Sequence, residues 1–494
     1  MNSVKKGLSS SLLLMAESIL KKLVGLISTL ILARVLVPED FGLVAIASIV
    51  IGLLDVLAQT GAMLYLLRAD KVTDDMVNTS WTINGILKIS LTLILIVSTP
   101  YISEYYGDYR LNAILYVFAT MIVLSCFANP GNIYHRIAQN YTPIIKLAIF
   151  GKFISVIVAI SIALIYQNYW ALILGQYTGA IIGTIGSYFT HPHRPKPCLS
   201  NAKEQWKFSG WMLPQGILGY ARTQLDTFLV SSIFGKSELG SYHVMKYLAF
   251  IPSAHIVLPA TQPLLVELSK VKHSKEFFCK QFNISFIITM LIAVPISILM
   301  FSYSELVTHV FLGDKWLKYE NILAAFAILI PASAILNQGR RVLVVYALAK
   351  KMFYFELISF STIYGTLFFV GVESLEFFTY VRVLLELIIC SLFLIFISLK
   401  YTSFRNTVKF ILTSSPVFIF SWLSVCICNL ILPPFGPPLL QLFMIGVLFL
   451  ILMLIQLFIS YKLILNRSDE WLYIGKLISQ ITNVILVKVK KAKV

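Results

Sequence analysis

Ten basic and five acidic side chains interrupt stretches of this sequence that are otherwise apolar enough for a bilayer interior. The cations are Lys21, Lys22, Lys88, Lys146, Lys152, Arg222, Lys246, Arg340, Arg341 and Arg382; the acids are Glu17, Asp55, Asp226, Glu356 and Glu386. A charge at the centre of a membrane helix costs about 2.5 to 3.5 kcal/mol on insertion scales, so such residues face a cavity or a partner. A surplus of cations can replace the water around an oxygen-rich anion, Arg with its planar fork and Lys as a point charge. On that reading Lys21, Lys22, Arg222, Lys246, Arg340 and Arg341 form an electropositive trap. Arg222–Asp226 and Arg382–Glu386 are spaced i,i+4 on one helix face, so each pair can also neutralise itself as a structural clip. If an arriving anion claims the arginine instead, the abandoned carboxylate is driven toward proton uptake. Asp226, with Glu386 and Asp55 beside it as candidates, would then couple transport to protons. Lys88 and Lys146 lie near run ends, where long side chains reach back to the interface.

The elements that must position these residues are membrane helices. Of the 494 residues 58% are hydrophobic and only 13% charged, far from a soluble composition. Fourteen apolar runs long enough to cross a bilayer fall near 12–33, 42–67, 81–101, 111–130, 144–166, 168–190, 210–232, 245–266, 281–302, 321–346, 353–371, 375–399, 408–431 and 439–461. Numbering the connections alternately puts roughly 25 basic residues on one side and about five on the other, which makes both termini cytoplasmic. The net charge of +17 is then met by anionic inner-leaflet lipid and calls for no nucleic acid. Six cysteines show no metal-ligand spacing, no P-loop motif occurs, and no cofactor is expected. The connections are too short for a soluble catalytic domain, so the chain reads as no enzyme.

Self-similarity organises the runs further. Leu32 to Val44 and Val230 to Tyr242 match at an offset of about 198 residues, with Gly42 on Gly240, Phe41 on Leu239, Asp40 on Glu238 and Leu36 on Phe234. Gly107-Asp108 is echoed by Gly313-Asp314, and Ala138-Gln139-Asn140 by Ala349-Lys350-Lys351. The expected all-α polytopic architecture is therefore two six-helix lobes related by a parallel repeat around a central cavity. The lobes are 1–190 and 210–400, joined by a cytoplasmic linker over 191–209 that should be protease-sensitive. Two extra helices follow over 401–465, then a basic amphipathic cytoplasmic tail over 466–494 with Trp471, Leu472, Leu477 and Ile478 at helical spacing.

Ala33-Arg34-Val35-Leu36 followed by Pro38-Glu39-Asp40-Phe41-Gly42-Leu43 resembles the opening signature of the polysaccharide transporter (Wzx-type) flippases of the multidrug/oligosaccharidyl-lipid/polysaccharide exporter superfamily. Arg222, Asp226, Gly235, Leu239-Gly240 and Tyr242 are similar to that family's seventh-helix segment, and Gly313-Asp314-Lys315-Trp316 to its element before helix ten. Two departures stand out: Gln59-Thr60-Gly61 where many relatives carry an acid, and a short basic run at His135-Arg136. The resemblance implies a flippase for a polyprenyl-pyrophosphate-linked oligosaccharide in the bacterial inner membrane, serving O-antigen, capsule or exopolysaccharide assembly. A polysaccharide polymerase is a possible partner. The competing classes are an integral-membrane polymerase or ligase of the same pathway, which would need a large outer loop with Arg and His, and a cation-coupled multidrug exporter, which the cationic cavity disfavours.

Overall fold

The computed structural model describes residues 2–494 apart from 59–60, 63–64, 67–70, 210–211, 262–263, 265–267, 269–270, 272, 347, 372, 402–403, 433–435, 464–467 and 476–494. Among the described residues ten helices are long and apolar enough to cross a bilayer. The chain divides into two compact units, Met1–His243 and Val244–Val494.

The first unit opens with α1 (Asn2–Val35). Next, α2 (Pro38–Leu57) starts on a proline whose missing N–H would be unpaired there anyway. Glu39 and Asp40 stand in its first turn, against the free N–H groups of the helix start. Thr73 caps α3 (Asp74–Tyr105) by accepting from the Met76 amide at 3.3 Å. Then come α4 (Arg110–Cys126), the short α5 (Asn132–Ile137), α6 (Thr142–Tyr166) and α7 (Trp170–Thr190). Helices α6 and α7 form a hairpin along a seam of small residues. A Cβ at Gly175 would lie 2.7 Å from the Ala159 Cβ, and Ser155 Oγ donates to the Gly175 carbonyl at 2.7 Å. With little hydrophobic drive between helices in lipid, such close packing holds them together. α1 lies on α6, and α4 lies between α3 and α7.

Residues 191–209, expected as a cytoplasmic linker between the lobes, are hydrogen-bonded to this unit. Prolines at 192, 195 and 197 forbid a helix, so the extended backbone finds side-chain partners instead. Asn129 Nδ2 donates to the carbonyls of His191 at 3.0 Å and His193 at 2.8 Å. Asn78 Oδ1 accepts from the Lys196 amide at 3.2 Å, and Thr82 Oγ1 from the Cys198 amide at 3.0 Å. In α8 (Ala202–Ser209) Gln205 is fully buried and accepts from Ser80 Oγ at 2.9 Å. α9 (Met212–Ile233) and the first part of α10 (Lys236–Pro252) complete the unit. α10 begins well ahead of the apolar run at 245, because Lys-Ser-Glu reads as polar while folding as a first helical turn.

In the second unit α10 widens into a π-turn at Ser253–Val257 and continues as α11 (Leu258–Thr261), where one unbroken helix over 245–266 was expected. There follow α12 (Lys275–Ser302), α13 (Ser304–Phe311), α14 (Glu320–Val345), α15 (Ala349–Phe369), α16 (Leu375–Tyr401), α17 (Phe404–Ile431) and α18 (Pro438–Leu463). α12 packs against α14 and α17, around fully buried Phe278, Phe282 and Phe326. Of the tail expected as an amphipathic helix, residues 468–475 are described. Trp471 and Ile474 are buried in protein, Trp471 Nε1 donates to the Thr413 carbonyl at 2.9 Å, and Leu472 is exposed. Leu477 and Ile478 lie outside the described residues.

Candidate functional site

Two helix starts cross at the end of α3 far from the docked 191–209 stretch. A Cβ placed on Gly42 of α2 would lie 1.9 Å from the Lys236 carbonyl oxygen; one on Gly240 of α10 would lie 1.8 Å from the Pro38 carbonyl oxygen. The contact is reciprocal, since at the offset of about 198 residues Gly42 answers to Gly240 and Pro38 to Lys236. Each helix rests its first carbonyl in the space that the other's glycine leaves open. Leu36, Leu43, Leu239 and Tyr242 are fully buried around it. Asp40 ties the crossing to α7, its carboxylate accepting from the Val37 amide at 3.2 Å and the Tyr169 amide at 3.1 Å.

A chain of charges straps the crossing. Asp108, in the connection from α3 to α4, accepts from the Arg110 amide at 2.8 Å, from Arg110 Nη2 at 2.7 Å and from Lys236 Nζ at 2.6 Å. Arg110 reaches on to Glu39, so Glu39 of α2 and Lys236 of α10 are joined through Arg110 and Asp108. Burial of Asp108 opposes its charge. The hydrogen bonds from Arg110 and Lys236 more than offset this and hold the carboxyl well below the usual carboxylate range. Arg110 is 42% exposed and Lys236 23%, so water can take over these contacts when they part. Gly107, at φ +60°, makes the turn that aims Asp108, and Gly313 before Asp314 has φ +92°. Yet Asp314 is exposed and meets His309 at 2.7 Å; only the first Gly-Asp carries a strap.

The residues expected to form the trap differ in their surroundings. Lys21 pairs with Glu17 at 3.2 Å, Lys22 is exposed, and Lys246 is half-buried. Arg340 forms an ion pair with Glu356 at 2.9 Å. Arg341 Nη2 donates to Thr261 Oγ1 at 2.9 Å and Nη1 to the Thr261 carbonyl, which clasps the end of α11. The Arg222 side chain lies outside the described residues. Asp226 is fully buried, accepting from Tyr242 Oη at 3.1 Å and the Thr227 amide at 2.8 Å. Glu386 pairs with Arg382 on its own helix, and Asp55 is exposed within the field of Lys88. Sequence reasoning missed the strap: Arg110 and Lys236 fall among the five or so basic residues of the sparser side, named there for no role, and Asp108 enters only as part of the repeat. The signal was Gly-Asp-x-Arg at the start of a helix. Among the described residues no group of three or more His, Cys, Asp or Glu is placed to hold a metal ion.

A family profile described as polysaccharide biosynthesis protein matches residues 31–321. The chain is similar to the lipopolysaccharide biosynthesis protein WzxC of Escherichia coli, 21% identical over 301 residues covering 59% of this chain and 60% of that protein. It is also similar to the succinoglycan biosynthesis transport protein ExoT of Rhizobium meliloti, 20% identical over 300 residues covering 60% and 61%. The matched stretch thus spans about three fifths of these relatives' length. The solved lipid II flippase MurJ, in an inward closed conformation, shares the fold, with a TM-score of 0.70 at 15% identity over 91% of this chain and 99% of that one.

Proposed function

The chain belongs to the polysaccharide biosynthesis protein family, and we propose that it flips a polyprenyl-pyrophosphate-linked oligosaccharide from the cytoplasmic to the outer leaflet of a bacterial inner membrane. The product feeds assembly of a surface polysaccharide, with a polysaccharide polymerase downstream. Both termini are cytoplasmic, on the weight of basic residues along one side.

The observation that carries the reading is the strapped crossing of α2 and α10. Two helix starts meet through backbone and glycine, with charged groups at the rim, so that the closest approach can part and re-form without moving a side chain out of the other helix's glycine notch. A closure of this kind is what alternating access requires at one mouth of the pathway. Lys21, Lys22, Arg222, Lys246, Arg340 and Arg341 supply N–H donors for the pyrophosphate, with Arg340 and Arg341 leaving Glu356 and Thr261 as it arrives. Asp226 is the coupling group, Glu386 and Asp55 standing behind it, and proton uptake follows when the anion draws cationic charge away.

The test is transfer in proteoliposomes, read as a fluorescent lipid-linked oligosaccharide becoming accessible to an impermeant reagent on the far side. Native chain should accelerate transfer, an imposed proton gradient should change the rate, and Asp226→Asn should lose that response. Transfer no faster than in empty liposomes overturns the function. A full gradient response in Asp226→Asn overturns only the coupling role.

A further inference from the structure

A second polar site lies inside the first unit, apart from the crossing. A cavity of about 320 Å³ opens between α3, the end of α4 and α5. Trp81, Asn84, Gly85 and Lys88 line it from one face of α3, at the i, i+3, i+4, i+7 spacing of a helical stripe. Arg136 of α5 enters from the other side. Two cations 48 positions apart in the chain therefore meet in one hollow, and no carboxylate lines it among the described residues.

Its polar groups are unevenly satisfied. Lys88 Nζ donates to Ser125 Oγ at 2.9 Å, leaving two of its three N–H bonds for another acceptor. Trp81 Nε1 and Asn84 Oδ1 are buried and have no hydrogen-bond partner. A buried donor left unmade costs about 1 to 3 kcal/mol, so an acceptor seated beside the indole N–H is favoured. Trp81 can only donate, Lys88 and Arg136 can only donate, and the occupant must therefore be rich in acceptors and negatively charged. Asn84 Oδ1 asks in addition for one hydroxyl or amide donor. The Lys88 charge also acts on Asp55 of α2, so one carboxylate stands within its field, against two cations at the cavity.

Depth narrows the occupant. α3 has 32 residues, about 48 Å of helix at 1.5 Å per residue, against a hydrocarbon layer of about 30 Å. Its start is polar, with Asp74, Asp75 and Asn78. Lys88, about 21 Å along, then falls inside the hydrocarbon layer, and Arg136, on the short α5 in the connection after α4, marks the boundary side of the cavity. We propose that the Lys88–Arg136 cavity binds a phosphate group, carried by an anionic phospholipid headgroup at the membrane boundary or by soluble phosphate. The site is independent of the transport reading, because binding alone defines it.

The experiment uses the full chain in nanodiscs, with two probes: labelled orthophosphate in purely zwitterionic lipid, and retention of phosphatidylglycerol doped into that lipid. One probe should bind saturably, which assigns the source. Lys88→Gln removes the charge, and Gly85→Leu fills the hollow. A Cβ at Gly85 meets nothing within 4 Å, so the second variant keeps the fold even if the first does not. Both should weaken binding by at least about tenfold, the size expected for losing a charged hydrogen bond, while Lys88→Arg restores it. Failure of both probes to bind, or native affinity in Gly85→Leu, overturns the proposal and leaves water as the occupant.

Discussion

At the scale of single residues, the crossing concentrates its tolerance into two positions. Gly240→Ala would set a methyl 1.8 Å from the Pro38 carbonyl oxygen, and backbone cannot swing aside as a side-chain end can. We expect a loss of about 1 to 3 kcal/mol, the usual range for overpacking, read as a lower unfolding midpoint. Gly85→Ala, with open space around it, should be neutral or stabilising by the helix propensity gained. Asp108 makes a second prediction. Its carboxyl is depressed in the folded chain, so its contribution is complete above the unfolded value of about 3.9 and fades as pH falls through and below that value. Asp108→Asn should therefore remove acid sensitivity of the strap below about pH 4, monitored by hydrogen-exchange protection at the start of α10. The glycine pairing was legible in the sequence as a repeat. Their contact was not, because alignment places equivalent residues without saying whether they touch.

At the scale of elements, the docked 191–209 stretch depends on neutral imidazole. His191 stacks on Tyr134 and sits edge-on to His135. Burial first, and then the nearby charges His135 and His193, lower its pKa, while Asp74 acts the other way. Tyr134 also donates to Asp74, and Arg194 lies along the same stretch, its Nη1 on the His193 carbonyl. Unfolded chain then binds protons more readily than folded chain, so stability is full above about pH 6.5 and declines as pH drops below it. Protection of the amides over 191–198, relative to their intrinsic exchange rate at each pH, should fall from pH 7.5 to 5.5, and His191→Gln should flatten that fall. Prolines told where a helix must stop, but the partners Asn78, Thr82 and Asn129 lie more than sixty residues away and left no local trace. The same blindness hid the Arg340–Glu356 pair, sixteen positions apart and on different helices.

At the scale of the molecule, hydropathy and periodicity located most helices, since a bilayer leaves the backbone no other way to satisfy its polar groups. Their ends were harder. α3 outruns its apolar core at the polar start, and α10 begins in a turn that reads as loop. The transport proposal makes a global demand that the crossing must part in every cycle. With Val37→Cys and Ser237→Cys bridged by a flexible bifunctional thiol reagent, transfer in proteoliposomes should stop. A reducible bridge should restore it on cleavage. Undiminished transfer with the bridge in place would mean that these helix starts stay together throughout.

The reciprocal glycine contact also bears on what inheritance can record. Each glycine accommodates the other helix's carbonyl, an atom that every residue possesses, so substituting one glycine cannot be answered by any change at the other. The two positions are free to be held constant independently, and neither will vary in step with its neighbour in space. Methods that infer proximity from correlated substitution draw on pairs that change together. They would pass over this close backbone approach while detecting the strap, where Glu39, Arg110, Asp108 and Lys236 can exchange charge for charge.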